Sequence, residues 1–275
     1  MTKKIAIQGI KGSFHHIVSQ TYFDETVEVQ PYLSFGEVVQ SLISKTSDVA
    51  IMALENSIAG SIIPNYAHID DQDLHITGEY FLEIQHNLMA LKGQSIADIN
   101  EVFSHPMALL QCKEFFKQYP HIKLIEDTDT AEVAQRISKS QLQGVAAIAS
   151  LQAAQLFELN ILAESIQTIK HNETRFVIVE RQQIKQDSTL INKASVKFLL
   201  DHKRGSLAAM LNVMSDCNLN LTKIQSLPKI DTPWKYAFFV DITFEDFSDY
   251  EKGKAIMKIM AEEFKILGEY KNAKK

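Results

Sequence analysis

The feature that most constrains the fold is a regular alternation of short apolar runs with longer stretches of helical spacing. Near the N-terminus, apolar runs at residues 4–9, 27–32 and 48–54 read as strands, and two helix-like segments separate them. The second of these segments begins after Ser34 and has Glu37 at its third helical position, which is the pattern of a capped helix start. The order β-α-β-α-β predicts a mainly parallel sheet covered by helices.

The same rhythm returns in the second part of the chain. Strands and helices are predicted in turn at residues 99–105, 106–120, 122–127, 128–140 and 144–150. Between the two alternations, residues 76–91 have strand character. Residues 169–180 follow after the second alternation is complete and have no helix of their own. We therefore expect them to cross back and connect two α/β lobes.

A third region follows a polar stretch. Residues 182–193 are polar and aperiodic, which is typical of a linker. Beyond them, strand, helix, strand, strand and helix are predicted in turn at residues 194–202, 205–217, 221–229, 234–244 and 249–267. This order predicts a small ferredoxin-like module of about 80 residues. The predicted domains are therefore residues 1–181, with two lobes, and residues 194–275, with the linker between them.

Composition argues against several classes of protein. The net charge is −6 with no basic block, so we expect no nucleic-acid partner, although a compact basic pocket for a small anion remains open. No stretch approaches the roughly 18 apolar residues of a membrane helix, and the first apolar run is too short for the core of a signal peptide. Cys112 and Cys217 lie far apart without a CxxC spacing. The expected location is the cytoplasm, with both thiols reduced and no membrane partner.

One polar cluster stands directly before a predicted strand. Residues 169–180 read IKHNETRFVIVE, so Thr174 and Arg175 are neighbours at the strand start. The cluster is either a turn followed by a solvated strand start, or the edge of a pocket where an anion binds and a proton is donated. By itself, the cluster leaves both interpretations open.

Two further clusters follow strands of the first alternation. The sequence GIKGSF, from Gly9 to Phe14, joins a strand to a helix, where glycines let the backbone approach a ligand and Ser13 can donate its hydroxyl. The alternative is a tight turn in which Ser13 caps the helix. Asn56 and Ser57, in ENSIAG, follow the third strand at the edge where open α/β sheets bind ligands, or else form a polar turn.

The corresponding junction of the second alternation is FSHPMALLQC at residues 103–112. Ser104 lies just past the strand, and Gln111 lies about a turn and a half into the helix. His105 is either an acid or base or, as is more common beside a proline, a structural residue. Ser150 is expected to cap the helix that follows the last strand. The nine histidines show no metal-ligand spacing, so no metal site is predicted.

Taken in order, these motifs are more specific than any one of them. The chain resembles the prephenate dehydratase family, whose members carry GPxGTFS, ENSxxG, SHPQALxQC, AAIAS and NxTRF in the same order. The C-terminal region resembles an ACT domain, with GSLAAML and NLTKIQSLP in place of GALxxxL and NLTxIESRP. The resemblance implies a two-lobed α/β catalytic domain of the type II periplasmic-binding-protein-like class, followed by a ferredoxin-like βαββαβ ACT domain.

The resemblance also implies an activity and a set of site residues. The expected reaction is the decarboxylative dehydration of prephenate to phenylpyruvate on the route to phenylalanine, without a cofactor. Thr174 is the expected catalytic residue, since its hydroxyl can donate a hydrogen bond that strengthens as the leaving hydroxide gains charge. Arg175 can hold a substrate carboxylate with its planar fork. The remaining expected substrate-binding residues are Ser13, Asn56, Ser57, Ser104, Gln111 and Phe176.

An ACT domain implies regulation by an amino acid at a subunit interface. The expected effector is L-phenylalanine, and the expected assembly is a homodimer or homotetramer. The implied effector-binding residues are Gly205, Ser206, Leu207, Asn220, Leu221, Gln225 and Ser226. Gln225 and Leu227 replace a glutamate and an arginine of the family pattern, so feedback inhibition is less firmly implied than activity.

Other departures and two alternative functions remain. Ile10, Ser13, His15 and Met107 replace a proline, a threonine, a serine and a glutamine of the family motifs, and Ser13 keeps a hydroxyl.

One alternative function is that of an arogenate dehydratase, which acts on the amino-acid analogue of prephenate. The other is a two-lobed ligand-binding sensor with no catalytic step. The missing export signal and the C-terminal module count against this second alternative.

Overall fold

The computed structural model describes residues 2–23, 27–183, 187–229, 232 and 235–274. Part of the predicted linker, residues 184–186, and Trp234 of a predicted strand lie outside the described residues. The chain divides into two compact units, formed by residues 1–60 with 81–176 and by residues 61–80 with 177–275. Among the described residues, no helix combines the length and the apolar character that crossing a membrane needs.

The first alternation forms the strands and helices that the sequence predicts. They are β1 (Lys4–Gln8), α1 (Phe14–Phe23), β2 (Glu28–Tyr32), α2 (Phe35–Ile43) and β3 (Val49–Asn56). β1 pairs in parallel with both β2 and β3, so the predicted parallel sheet is confirmed. The capped start of α2 is also confirmed. Glu37 N donates to Ser34 Oγ at 3.2 Å, and Leu33 N donates to Glu37 Oε2 at 2.8 Å.

The second alternation forms a separate sheet. The chain first passes through β4 (Gly60–Ser61), α3 (Ile63–Asp71), β5 (His75–Glu83) and β6 (Asn87–Ala90). It continues through β7 (Glu101–Ser104), α4 (Pro106–Phe116), β8 (Lys123–Glu126), α5 (Thr130–Ser140), β9 (Val145–Ala149), α6 (Leu151–Leu156) and β10 (Asn160–Ala163). The strand order of this sheet is β10-β6-β9-β7-β8. β7 pairs in parallel with both β8 and β9.

The second sheet is covered on both faces, which explains why β9 is apolar along its whole length. Ala146 and Ile148 belong to one core, together with Cys112 of α4. Ala147 and Ala149 belong to the other, which includes side chains of α5 and α6. Successive side chains of a strand point to opposite faces, so a strand between two helix layers is apolar at every position.

The predicted return of the chain to the first sheet is confirmed. β11 (Glu173–Glu180) lies between β3 and β5, and the strand order of the first sheet is β2-β1-β3-β11-β5. This crossing brings the polar cluster before β11 next to the end of β3. Two motifs that are more than 100 residues apart in sequence therefore become neighbours.

The C-terminal module has the βαββαβ order that the ACT resemblance implies. Its elements are β12 (Lys193–Leu199), α7 (Ser206–Asp216), β13 (Asn220–Pro228), β14 (Tyr236–Thr243), α8 (Phe247–Met260) and β15 (Glu263–Tyr270). The strand order is β13-β14-β12-β15, and neighbouring strands are antiparallel. Both helices contribute to a single core with the sheet, which includes Met210, Met214 and Met257.

The last helix is shorter than predicted. Residues 263–270 form β15, so the prediction of a helix up to residue 267 is wrong. β15 pairs with β12, where Phe264 lies opposite Phe198. β12 is buried along its whole length, so its backbone groups need partners on both sides, and β14 supplies only one of them. Pairing with this buried strand therefore outweighs the local helical spacing of the sequence.

Residues 61–80 group with the C-terminal module and not with the sequence that precedes them. The ammonium group of Lys193 lies 2.8 Å from Glu79, and both side chains are buried. Lys197 makes a second ion pair with Asp70 at 2.6 Å. A Cβ atom added at Gly268 would lie 2.2 Å from the carbonyl oxygen of Ile76, so only glycine allows this close approach. The predicted boundary at residue 181 stays a prediction, since the compact units divide the chain differently.

Candidate active site

The end of β3 and the start of β11 are joined by side-chain hydrogen bonds. Asn56 Nδ2 donates to Thr174 Oγ1 at 2.9 Å and to Asn172 Oδ1 at 2.7 Å. Ser57 N donates to the carbonyl oxygen of Glu173 at 2.8 Å, and Glu173 N donates to Ser57 Oγ at 3.0 Å. The ENSIAG and NETRF motifs therefore form one polar cluster, in which Thr174 is buried.

The orientation of the Asn56 amide is fixed by backbone groups. Asn56 Oδ1 accepts from Ile58 N at 3.0 Å and from Ala59 N at 2.8 Å. A backbone N–H can only donate, so the atom that faces these two groups must be the oxygen. The nitrogen must then face Thr174, and Thr174 Oγ1 is the acceptor of that bond. Among the described residues the Thr174 hydroxyl has no acceptor for its own proton, which leaves that proton for a ligand.

The second sheet contributes Gln111, from α4, to the same cluster. Gln111 Oε1 accepts from Asn172 Nδ2 at 2.9 Å, and Gln111 Nε2 donates to Asn56 Oδ1 at 3.4 Å. His86 Nε2 lies 2.9 Å from Gln111 Oε1. The His86 ring also packs against Phe14 in a T-shaped arrangement, with 5.7 Å between the ring centroids. The cluster of Asn56, Gln111, Asn172 and Thr174, which we call the amide cluster, thus combines residues from both lobes.

Sequence reasoning missed two members of this environment. Asn172 belongs to the NETRF segment, and its amide is the sequence signal that could have indicated its role. His86 follows β5 in a stretch that carries no motif, so nothing local indicated a role. Both residues are almost completely buried.

The GIKGSF turn is packed against the second sheet's helix α6. Gly9 and Gly12 have φ angles of +84° and +95°, which favour glycine, and a Cβ atom at Gly12 would lie 3.2 Å from Ala153 Cα. Ser150 Oγ donates to the carbonyl oxygen of Gly12 at 2.6 Å and accepts from Ala153 N, so its predicted capping role is confirmed. Ser13 Oγ accepts from His16 N at 3.3 Å, which fits the helix-capping interpretation. Contact between Ser13 and substrate stays a prediction.

Two residues expected at the site are enclosed in the protein interior. Ser104 is fully buried, and its hydroxyl donates to the carbonyl oxygen of Ile148 in the neighbouring strand at 2.7 Å. Phe176 is 1% exposed, and its ring packs against the ring of His15 with 4.9 Å between the centroids. Neither side chain is exposed to solvent in this conformation, and direct substrate contact by Ser104 or Phe176 stays a prediction. Both residues lie in strands whose neighbouring elements cover these two side chains.

The alternation of β11 separates Thr174 from Arg175. Successive residues of a strand point to opposite faces, so Thr174 shares a face with Phe176 while Arg175 points the other way. The Arg175 side chain is 4% exposed. Its role as a carboxylate ligand stays a prediction. His105 has a structural contact, since its Nδ1 accepts from Met107 N at 3.2 Å at the start of α4.

Burial controls the charge state of the histidines near the cluster. Desolvation lowers the pKa of His86 to about 4 and the pKa of His15 to about 3. Both rings are therefore neutral at neutral pH. Desolvation also lowers the pKa of His105, and the nearby Asp129 and Glu126 oppose that shift. The amide cluster and the adjoining His86 ring therefore carry no formal charge at neutral pH.

Comparison with known proteins decides the family. The profile of the prephenate dehydratase family matches residues 5–184, which is more than half of the chain. The chain belongs to the prephenate dehydratase family. The resemblance that the motif order indicated is confirmed, and with it the assignment to a family of lyases.

Curated relatives carry two kinds of name. Arogenate dehydratase 2 of Petunia hybrida is 36% identical over 82% of this chain and 57% of that protein. The bifunctional chorismate mutase/prephenate dehydratase of Aquifex aeolicus is 31% identical over 98% of this chain and 74% of that protein. The chain thus spans little more than half of the first relative and about three quarters of the second.

Solved structures confirm the predicted fold class. The prephenate dehydratase of Staphylococcus aureus subsp. aureus Mu50 superposes with a TM-score of 0.84 and 27% identity over 97% of this chain and 99% of that one. The prephenate dehydratase of Arthrobacter aurescens, solved in complex with L-Phe, gives a TM-score of 0.87 at 23% identity over 98% and 90% of the two chains. At that identity, the second likeness shows the fold alone.

The buried histidines predict a loss of stability in mild acid. Between pH 6.5 and about 4, the unfolded chain binds a proton at His86 that the folded chain does not, and His15 behaves in the same way. The free energy of unfolding should therefore fall with pH, by up to about 1.4 kcal/mol per pH unit for each of the two histidines. Urea unfolding at several pH values between 6.5 and 5 measures this slope.

The substitution His86→Gln provides the comparison for this slope. It removes one of the titrating rings. The slope of the unfolding free energy against pH should therefore correspond to about one proton fewer taken up on unfolding than in the unsubstituted chain. Equal slopes for the two proteins would contradict the assignment of a depressed pKa to His86.

Proposed function

We propose that this chain catalyses the decarboxylative dehydration of prephenate to phenylpyruvate. In this reaction the bond to the ring carboxylate breaks, and its electron pair enters the ring as carbon dioxide leaves. The carbon–oxygen bond across the ring then releases hydroxide, which takes up a proton to become water. The ring becomes aromatic, which supplies the driving force, so the protein has only to bind two carboxylates and assist the departing hydroxide.

One observation carries the assignment of Thr174 as the residue that assists the leaving group. Its oxygen accepts from Asn56 Nδ2, so its own proton is not needed for that bond and can be donated to a ligand. A threonine hydroxyl is too weak an acid to transfer its proton fully at neutral pH. It can still donate a hydrogen bond that strengthens as negative charge develops on the leaving oxygen, which stabilises the transition state more than the bound substrate.

Arg175 is the proposed ligand for a substrate carboxylate. A guanidinium group remains charged at every relevant pH and can bind a carboxylate through two parallel hydrogen bonds. Because this side chain is almost fully buried, such a bond would be little screened by solvent. Ser13, Ser57 and Gln111 are the proposed additional polar contacts. Asn56 acts in this account by orienting Thr174.

The arogenate alternative is a matter of substrate preference within the same site. Arogenate carries an amino acid side chain where prephenate carries a pyruvyl group, and the bonds that break are the same. The Petunia hybrida relative is an arogenate dehydratase, which supports this alternative. The ratio of kcat/KM for prephenate and arogenate decides between them.

The first test is the conversion of prephenate by the purified chain and by its Thr174→Ala variant. We expect the unsubstituted chain to form phenylpyruvate and the variant to lose about 10²–10³ in kcat, with little change in KM, because a transition-state hydrogen bond has been removed. The rate of phenylpyruvate formation is the readout. Thr174→Ser, which retains the hydroxyl, is the matched control and should keep most of the activity.

Two results would contradict this proposal in different ways. A Thr174→Ala variant with nearly normal kcat would rule out the role of the hydroxyl while leaving the reaction in place. Tight binding of prephenate or arogenate, without phenylpyruvate or phenylalanine as product, would favour the non-catalytic sensor instead.

We further propose that L-phenylalanine regulates the enzyme through the C-terminal module. Four of the seven proposed effector residues line two cavities of the protomer. Ser206 and Leu207 line one of about 170 Å³, and Asn220 and Leu221 line another of about 370 Å³. A second protomer could complete a binding site from such parts, which supports a homodimer or homotetramer. Gly205, at the start of α7, and Gln225 and Ser226, in β13, are the other proposed contacts.

A physical route exists from this module towards the active-site sequence. The buried Lys193–Glu79 pair and the Lys197–Asp70 pair attach residues 61–80 to the C-terminal sheet. Residues 61–80 continue directly from the turn that holds the Asn56 amide. An effector that shifts the C-terminal sheet would therefore act on a segment covalently attached to this turn. The Arthrobacter aurescens relative, whose structure contains L-Phe, supports the choice of ligand.

The second test adds L-phenylalanine to the steady-state assay with prephenate. We expect the rate at low substrate to fall by about fivefold or more at saturating L-phenylalanine, which is the lower end of typical allosteric couplings. D-Phenylalanine at the same concentrations is the matched control. A rate that stays constant as L-phenylalanine increases would remove the regulatory proposal and leave the catalytic one intact.

A further inference from the structure

We infer that His86 is a positioning residue, which holds Gln111 in place within the amide cluster and thereby supports the arrangement that presents the Thr174 proton to the substrate. The inference rests on the proposed function of Thr174. It assigns a role to a residue that lies outside all of the sequence motifs.

The direction of every bond in the cluster follows from the two backbone donors at Asn56. Since Asn56 Nδ2 must donate, the Asn172 atom 2.7 Å away must be the oxygen. The other end of the Asn172 amide is then a donor, and the Gln111 atom 2.9 Å away must also be an oxygen. The backbone N–H groups of Ile58 and Ala59 therefore determine the orientation of all three amides.

The same reasoning assigns the proton on His86. Gln111 Oε1 can only accept, so His86 Nε2, at 2.9 Å, must carry the proton. Among the described residues, His86 Nδ1 is buried without a hydrogen-bond partner. The neutral ring is therefore the tautomer with its hydrogen on Nε2, and it is the only group outside the three amides that contacts Gln111 Oε1 among the described hydrogen bonds.

The three amides close a ring in which each donates to the next. Asn56 donates to Asn172, Asn172 donates to Gln111, and Gln111 donates back to Asn56 at 3.4 Å. If all three amides were reversed, an oxygen would face Thr174, and the threonine hydroxyl would donate to that oxygen. The backbone donors at Asn56 select the direction that leaves the Thr174 proton available, and the bond from His86 holds Gln111 in that arrangement.

The backbone of His86 is held firmly enough for this role. His86 N donates to the side chain of the buried Gln167 at 3.0 Å, and Ile166 N donates to the carbonyl oxygen of His86 at 2.8 Å. The ring also meets the edge of Phe14. These contacts fix the position of Nε2 relative to Gln111.

Three substitutions separate positioning from simple packing. His86→Gln retains an N–H donor near the place of Nε2, His86→Asn moves a donor to the place of Nδ1, and His86→Leu removes the donor. We expect kcat for prephenate to fall about tenfold or more in the Leu and Asn variants and to stay within about threefold in the Gln variant. KM should change little in all three. Equal kcat values for the Gln and Leu variants, or a loss that appears only in KM, would overturn the inference.

A spectroscopic measurement tests the cluster without relying on activity. The ¹⁵N chemical shifts of the His86 ring in the whole chain at pH 7 distinguish a protonated nitrogen from a bare one, and comparison with His86→Gln identifies the signals. We expect the proton on Nε2. A proton on Nδ1 would overturn the inference even in an active enzyme. An unsubstituted chain that converts neither prephenate nor arogenate would refute the proposed function, and with it the kinetic role of His86, while the Nε2 result would still stand.

Discussion

Two backbone N–H groups, those of Ile58 and Ala59, determine the chemistry of this site. They bind Asn56 Oδ1 and so force the nitrogen of that amide towards Thr174. A buried hydroxyl is both a donor and an acceptor, and its neighbours decide which role it plays towards a ligand. Here the Asn56 amide, oriented by the turn after β3, donates to the Thr174 oxygen, so the hydroxyl does not donate to this amide. The conformation of residues 55–59 thereby determines how the Thr174 hydroxyl can hydrogen-bond, although Thr174 lies more than 100 residues away in the sequence.

The architecture supplies the proximity that this arrangement needs. Parallel strands end at one edge of a sheet, and residues that follow them collect there. The return of β11 between β3 and β5 adds Thr174 and Asn172 to that edge, and α4 of the second sheet adds Gln111. The amide cluster contains no ionised group. Its neutrality suits the proposed reaction, because the developing negative charge then meets a donor and no competing carboxylate of the cluster.

Much of the fold could be predicted because the local and the long-range preferences of the sequence agree. The β-α alternation, the cap at Ser34 and the crossing of residues 169–180 are examples, and the structure confirms them. The prediction was wrong at residues 263–267, where helical spacing continued into a segment that pairs with the buried strand β12. That outcome depends on backbone partners supplied by distant residues, which local periodicity does not report.

The candidate site was predictable in its motifs but not in the orientation of its side chains. Motif order located Thr174, Asn56 and Gln111, which lie together. Ser104 and Phe176 are at strand positions whose side chains point into the core, and a motif does not encode the face of the sheet on which its members lie. His86 was missed because its importance comes from a single contact with Gln111 across the fold.

The most direct test of the central claim is the kcat of Asn56→Asp, measured alone and combined with Thr174→Ala. The aspartate keeps an oxygen for the two backbone donors but presents a second oxygen to Thr174, so the hydroxyl should turn and donate to it. The account predicts that Asn56→Asp lowers kcat nearly as much as Thr174→Ala, and that the double variant is no slower than Thr174→Ala. A normal kcat for Asn56→Asp, or two losses that multiply in the double variant, would show that Asn56 does not act through the threonine proton.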